Sequence, residues 1–89
     1  MISKRTEKFK KCFDRLPAHI QRQAVQAYRD FKRDPNHSGL HFKPTKRNPG
    51  VYSVRVALGW RALGTKTKDK IVWFWIGSHA QYTRLIAEL

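Results

Sequence analysis

Phe9, Cys12, Phe13 and Leu16 recur at i, i+3, i+4 and i+7, which places four apolar side chains on one face of a helix. Thr6 with Glu7 behind it supplies a start signal for that helix, and Pro17 the stop. A second helical period runs from about Ala18 to Arg33. Its apolar stripe is Ile20, Ala24, Ala27, Tyr28 and Phe31, with Arg22, Arg29, Lys32 and Arg33 largely off it, and Asp34-Pro35-Asn36 ends it. These segments predict an antiparallel helical hairpin with a basic outer side. From Leu40 onward the period drops from 3.6 to 2, and strands are predicted over Leu40–Lys43, Val51–Val56, Trp60–Lys66 and Ile71–Ile76. The N-terminus offers at best a strand from Met1 to Lys4. Ser78 with Gln81 three residues later is a capping-box pattern, opening a short C-terminal helix whose apolar positions are Leu85, Ile86 and Leu89. The predicted fold is α+β: an N-terminal helical hairpin packed on a small antiparallel sheet of three to four strands, with a short C-terminal helix, all in one domain over residues 1–89.

Two turns fix which residues face each other. Ala57-Leu58-Gly59 suits a three-residue hairpin loop with glycine in the left-handed position, so Val56 faces Trp60 and Arg55 faces Arg61. Lys68-Asp69 is the expected tip of the next hairpin, which sets Arg61 roughly opposite Ile76. The chain leaving that last strand at Gly77-Ser78-His79 therefore passes close to the arginine pair, with His79 at the first helical position.

Composition sharpens this picture in one respect. The chain carries 19 Lys and Arg against 6 Asp and Glu, a formal net charge of +13, far beyond what solubility requires. A polyanion is the natural partner, either nucleic acid or an acidic protein. The single cysteine, Cys12, excludes an internal disulfide, and no Cys/His cluster has zinc-finger spacing, so no metal or cofactor is expected and a reducing cytoplasm fits best. The N-terminal stretch lacks an apolar signal region, and the longest apolar run, Ile71–Ile76, is far short of the ~20 residues a membrane span requires.

Candidate chemistry gathers where the strands end. Two guanidinium groups side by side on a strand pair repel, and none of the six acidic residues lies near them in these two strands, so a phosphate is a fitting counter-charge. The competing reading is that Arg55 and Arg61 are simply solvated. A helix N-terminus favours an anion, and a neutral His79 beside a bound phosphate can accept a proton. Tyr82 either packs on the apolar face of the last helix or reaches the edge of that site with its hydroxyl. His41 and Lys43 alternate on one side of the short strand, and the loop "PTKRNPG", residues 44 to 50, carries Lys46 and Arg47. These four residues form a candidate surface for an RNA backbone. Trp60, Trp73 and Trp75 read as core between sheet and helices, with base stacking as the lesser alternative.

The two N-terminal helices, then "VYSVRVALGWRALG", then "IVWFWIGSHAQYTRLI" resemble the RelE/ParE superfamily of bacterial toxins over nearly the whole chain. The resemblance implies a toxin of a type II toxin–antitoxin system. RelE-type members cut messenger RNA on the ribosome, and Arg55 and Arg61 match strand positions that hold basic catalytic residues there. "GSHAQY" is similar to the Gly-Thr-His segment of YafQ-type members. The sequence departs from the RelE pattern in having Ser53 and Arg55 where that type has a lysine pair, and His79 where it has an arginine; the RelE tyrosine is also farther along the last helix than Tyr82. The implied activity is metal-independent endoribonuclease cleavage through 2′-OH attack on the adjacent phosphate, with His79, Arg55, Arg61 and Tyr82 as catalytic residues. The implied partners are an acidic antitoxin, mRNA and the ribosome. ParE-type relatives share the fold, lack the ribonuclease residues and poison DNA gyrase. That activity, and a non-enzymatic nucleic-acid-binding module, are the alternatives.

Overall fold

A computed structural model describes residues 1 to 88. The elements run β1 (Ile2–Arg5), α1 (Glu7–Asp14), α2 (Ala18–Arg33), a 3-10 turn (Ser38–Leu40), β2 (Lys43–Pro44), β3 (Val51–Ala57), β4 (Trp60–Thr67), β5 (Lys70–Ser78) and α3 (His79–Ile86). Leu89, expected as an apolar position of the last helix, lies outside the described residues. The helix starts follow the sequence signals. Thr6 accepts a hydrogen bond from Phe9 N–H at 3.1 Å, and Ser78 and Gln81 form the full capping box, each side chain bonding the other's backbone N–H. Gln21 Nε2 donates to the Phe13 carbonyl at 3.0 Å, tying the end of α1 to α2.

The sheet has five strands in the order β1-β5-β4-β3-β2, and it is mixed. This corrects the expected antiparallel sheet of three to four strands, within an α+β fold that is otherwise as predicted. The extra strand is β1, which pairs parallel to β5 at the sheet edge. Its sequence Ile-Ser-Lys-Arg has no apolar alternation because an edge strand of this kind buries little of either face. It is held partly by a side chain, with Trp73 Nε1 donating to Ser3 Oγ at 3.0 Å. The expected strand over Leu40–Lys43 is also corrected. Leu40 closes a 3-10 turn, His41 adopts a left-handed φ of 48°, and only Lys43 and Pro44 pair with β3. Leu40 is buried as a loop anchor, which a period-2 reading takes for an inward strand position.

Alternation along β3 to β5 divides the core in two. On one face Ile20, Ala24, Ala27 and Phe31 of α2, together with Phe9, Phe13 and Leu16, cover Val54, Ala62, Ile71, Trp73 and Ile76. An aromatic cluster anchors this side: Phe31 meets Phe42 edge-on at 4.9 Å and Trp73 at 5.3 Å, and Phe42 lies 4.9 Å from Tyr52. On the other face a smaller cluster of Val51, Leu63 and Trp75 is covered by Tyr82, Leu85 and Ile86 of α3. Trp73 and Trp75 are buried and Trp60 half-buried, as the core reading expects.

Close approach explains one glycine. A methyl group at Gly64 would lie 2.8 Å from a ring carbon of Trp73 and 2.9 Å from Ile71 Cγ1. Gly64→Ala should therefore overpack the larger core and lower unfolding free energy by about 1–3 kcal/mol, measured by urea denaturation. A variant as stable as the parent would show that the core yields there at no cost.

Candidate active site

The β3–β4 hairpin sets the site. Its turn is Leu58-Gly59, with Gly59 at φ 79°, where a side chain would be strained. Ala57 pairs with Trp60, not Val56 as the longer loop predicts, and Val56 sits in a bulge. The bulge contributes the one residue that the shorter turn removes, so Arg55 and Arg61 still stand directly opposite each other. A second bulge, at Phe74, moves β5 by one residue, and Arg61 faces Gly77 instead of Ile76. Both strand ends thus meet at the arginine pair.

Arg61 shares a face with Leu63 and so emerges beside α3. Its guanidinium carbon lies 5.3 Å from the centre of the Tyr82 ring, and the His79 ring stacks on the same tyrosine at 5.7 Å with 20° between planes. His79 and Tyr82 meet because they are three residues apart on one helix. Tyr82 packs on the smaller core, with its ring beside both Arg61 and His79. The His79 N–H donates to the Gly59 carbonyl at 2.8 Å, fastening the hairpin turn to the start of α3.

A cleft of about 300 Å³ is lined by His41, Arg55, Arg61 and His79, with Leu58, Gly59 and Trp60 among its walls. No acidic residue lines it. Among the described residues the one ion pair is the exposed Lys10–Glu7 contact, so none of them neutralises either arginine. Arg61 Nη1 is buried and has no hydrogen-bond partner among the described residues. A cleft of this kind can hold a phosphate between two guanidinium forks, with an imidazole alongside. The helix N-terminus contributes less than expected. His79 N–H is committed to Gly59 and Gln81 N–H to Ser78 Oγ, so the cationic character comes mainly from side chains.

The remaining basic residues do not join this cleft. Lys43, Lys46 and Arg47 line a neighbouring groove of about 530 Å³ between the β2–β3 loop and α3, with Thr45, Ser53 and Tyr82. Tyr82 is the link between groove and cleft. Lys43 and Lys46 are exposed, whereas Arg47 donates through Nη1 to the Ala87 carbonyl at the end of α3. The loop itself is knitted by Thr45, whose Oγ1 donates to the Asn48 carbonyl at 2.7 Å and whose N–H donates to the Val51 carbonyl at 2.8 Å. His41 belongs to the cleft, not to a strand face shared with Lys43, because its left-handed backbone breaks the alternation. Sequence reasoning missed Leu58, which lies at the hairpin tip and is 82% exposed. An apolar residue at a tip that favours Asn, Asp or Gly was the available signal.

The family model for the ParE-like toxin domain matches residues 18–84. No curated protein sequence matches the chain. Solved structures similar to it include the RelB–RelE antitoxin–toxin complex from Methanococcus jannaschii, with a TM-score of 0.73 at 15% identity, covering 92% of this chain and 96% of the matched one. The toxin–antitoxin complex RelBE2 from Mycobacterium tuberculosis gives 0.70 at 23%, covering 89% and 91%. The YoeB/ParE toxin from Agrobacterium tumefaciens gives 0.69 at 18%, covering 89% and 99%. At these identities the structural likeness speaks for the fold.

An unpartnered buried guanidinium nitrogen costs about 1–3 kcal/mol, and a cation beside an aromatic ring returns about 0.5–1 kcal/mol. Arg61→Met keeps the unbranched stem of the side chain and removes both, so it should leave unfolding free energy unchanged or raise it by up to about 2.5 kcal/mol. Calorimetric or urea unfolding of the purified variant measures this. A clear loss of stability would mean that Arg61 serves the fold.

Proposed function

The chain belongs to the ParE-like toxin family, within the RelE/ParE superfamily, and from that premise we propose that it is a type II toxin acting as a messenger-RNA endoribonuclease. One observation carries the choice of activity: His79 and the Arg55/Arg61 pair line the same cleft. In the reaction, His79 Nδ1 or Nε2 accepts the proton of an RNA 2′-OH, and the freed oxygen attacks the adjacent phosphorus. The bond to the 5′ oxygen breaks, that oxygen takes up a proton, and a 2′,3′-cyclic phosphate remains. Arg55 and Arg61 donate hydrogen bonds to the non-bridging oxygens, where negative charge grows. Tyr82 holds the Arg61 guanidinium and the His79 ring in a fixed relation. The nucleophile is the substrate's own hydroxyl and the charge is met by guanidinium groups, so the reaction as drawn calls for no metal ion.

Lys43 and Lys46 would follow the backbone leading away from the cleft. The partners that fit a charge of +13 are mRNA, with the ribosome as the place of action, and an acidic antitoxin that neutralises the protein in the cytoplasm. The antitoxin is a fitting expectation because similar structures include antitoxin–toxin complexes. Among the described residues no helix is long and apolar enough to cross a membrane. A second reading, inhibition of DNA gyrase, is favoured by the ParE-like family model itself. It has no use for an imidazole in the cleft.

Two measurements follow. His79→Ala should lower the rate of mRNA cleavage about 10²–10⁴-fold and Arg61→Met about 10²–10³-fold, with circular dichroism unchanged. Full activity in both variants, or gyrase inhibition by a parent protein that cuts no RNA, would favour the second reading. Joint replacement of Lys43 and Lys46 by Ala should reduce the slope of log affinity against log salt by about 0.7 for each phosphate no longer neutralised, as expected for single strands. An unchanged slope would put the RNA backbone elsewhere.

A further inference from the structure

A second hollow of about 500 Å³, with polar groups on its α2 side, adjoins the cleft across the β3–β4 turn, and the two share Arg55, Ala57 and Leu58. On its α2 side are Gln23, Gln26 and Asp30, which fall on one face of the helix at intervals of three and four residues. His37 closes it from the loop. Asp30 is one of only six acidic residues in the chain. It is half-buried, borders the same hollow as Arg55, and is in no ion pair among the described residues. One of its carboxylate oxygens accepts a hydrogen bond from Gln26 Nε2 at 3.1 Å, and a carboxylate has further lone pairs to offer. His37 Nδ1 accepts from Gly39 N–H at 3.2 Å, which leaves the proton of the neutral ring on Nε2 as a donor.

A carboxylate beside a phosphate site weakens binding to any polyanion, so its place here calls for a ligand group that it recognises. We propose that this hollow is a base-recognition subsite, in which Asp30 and His37 select guanine in the nucleotide next to the phosphate held by Arg55 and Arg61. The phosphate part rests on the ribonuclease reading above. Guanine presents two adjacent N–H donors, N1–H and the N2 amino group, to the carboxylate, and the O6 acceptor to the His37 Nε2–H. Adenine and cytosine offer an amino donor without the second N–H beside it, and uracil offers a single N–H. The exposed Leu58 side chain at the rim supplies an apolar surface for the base. The chain would then read three consecutive hollows as one track: base at Asp30, phosphate at the arginine pair, and continuing backbone at Lys43 and Lys46.

The test uses dinucleotides with a 2′-O-methyl group at the linkage, which cannot be cleaved, and measures affinity for all four bases at each position by calorimetry. The full chain should prefer guanine at one position by about tenfold or more. Asp30→Asn should bring the four affinities to within about twofold, raising those for adenine, cytosine and uracil because a negative charge is removed, while guanine loses its paired contact to the carboxylate. The ratio between bases is the readout, since a purely structural Asp30 that only bonds Gln26 would shift stability and leave the ratio intact. Equal affinities in the parent chain, or a guanine preference that survives Asp30→Asn, overturns the subsite. Cleavage of messenger RNA on ribosomes, assayed in parallel for the parent chain and Asp30→Asn, keeps the two readings apart. An Asp30-dependent guanine preference without cleavage supports the subsite and removes the ribonuclease, whereas cleavage with no base preference does the reverse.

Discussion

Two like charges held directly opposite each other across a β-hairpin repel, and in this chain the backbone enforces that arrangement. The positions of Arg55 and Arg61 are set by the pairing of β3 with β4, and that pairing carries Val54, Ala62 and Leu63 into the two cores. The repulsion is therefore locked in by apolar burial elsewhere. Arg61 adds a buried nitrogen without a hydrogen-bond partner among the described residues. A folded protein retains such a cost where something outside the chain relieves it. A phosphate relieves both parts, because its oxygens accept from two guanidinium groups at once.

The rest of the site follows from how α3 is fastened. The Phe74 bulge aligns Gly77 with Arg61, and the capping box turns the chain at Ser78. The Gly59 carbonyl then takes the His79 N–H, so the hairpin that presents the arginines also fixes the first residue of the helix that presents the imidazole. Tyr82 completes the coupling by contacting both groups while its ring rests on the smaller core of Leu63 and Trp75. At the far end Arg47 holds the Ala87 carbonyl. A helix of only eight residues is marginal alone, and these ties at both ends hold it over the smaller core.

What could be read from sequence was what depended on local signals. Thr6, Pro17, Ser78 and Gln81 mark helix ends with chemistry confined to a few residues, and the i, i+3, i+4 pattern of α1 and α2 survives in the burial of Leu16, Ile20, Ala24, Ala27 and Phe31. The arginine pairing was also legible, although through a different turn. A three-residue loop and a two-residue turn with a bulge add up to the same register beyond Val56. The bulge at Phe74 was hidden because Trp73, Phe74 and Trp75 are all aromatic, so alternation gives no sign of where one residue drops out of step. β1 and β2 were faint because edge strands need little apolar surface, and the hollow at Asp30 was invisible because its parts lie on a helix, a loop and a strand distant in sequence. The family likeness gives the fold, and the distribution of charge within that fold argues for the chemistry.

The central claim, that Arg55 and Arg61 jointly hold a phosphate, is open to direct observation in the side-chain guanidinium resonances of the isotope-labelled protein. During titration with inorganic phosphate at constant ionic strength, these two arginines should shift together and saturate along one curve, ahead of Arg22, Arg29 and Arg33 on α2. Uniform, unsaturating shifts of all arginines, or movement of the α2 arginines first, would contradict it.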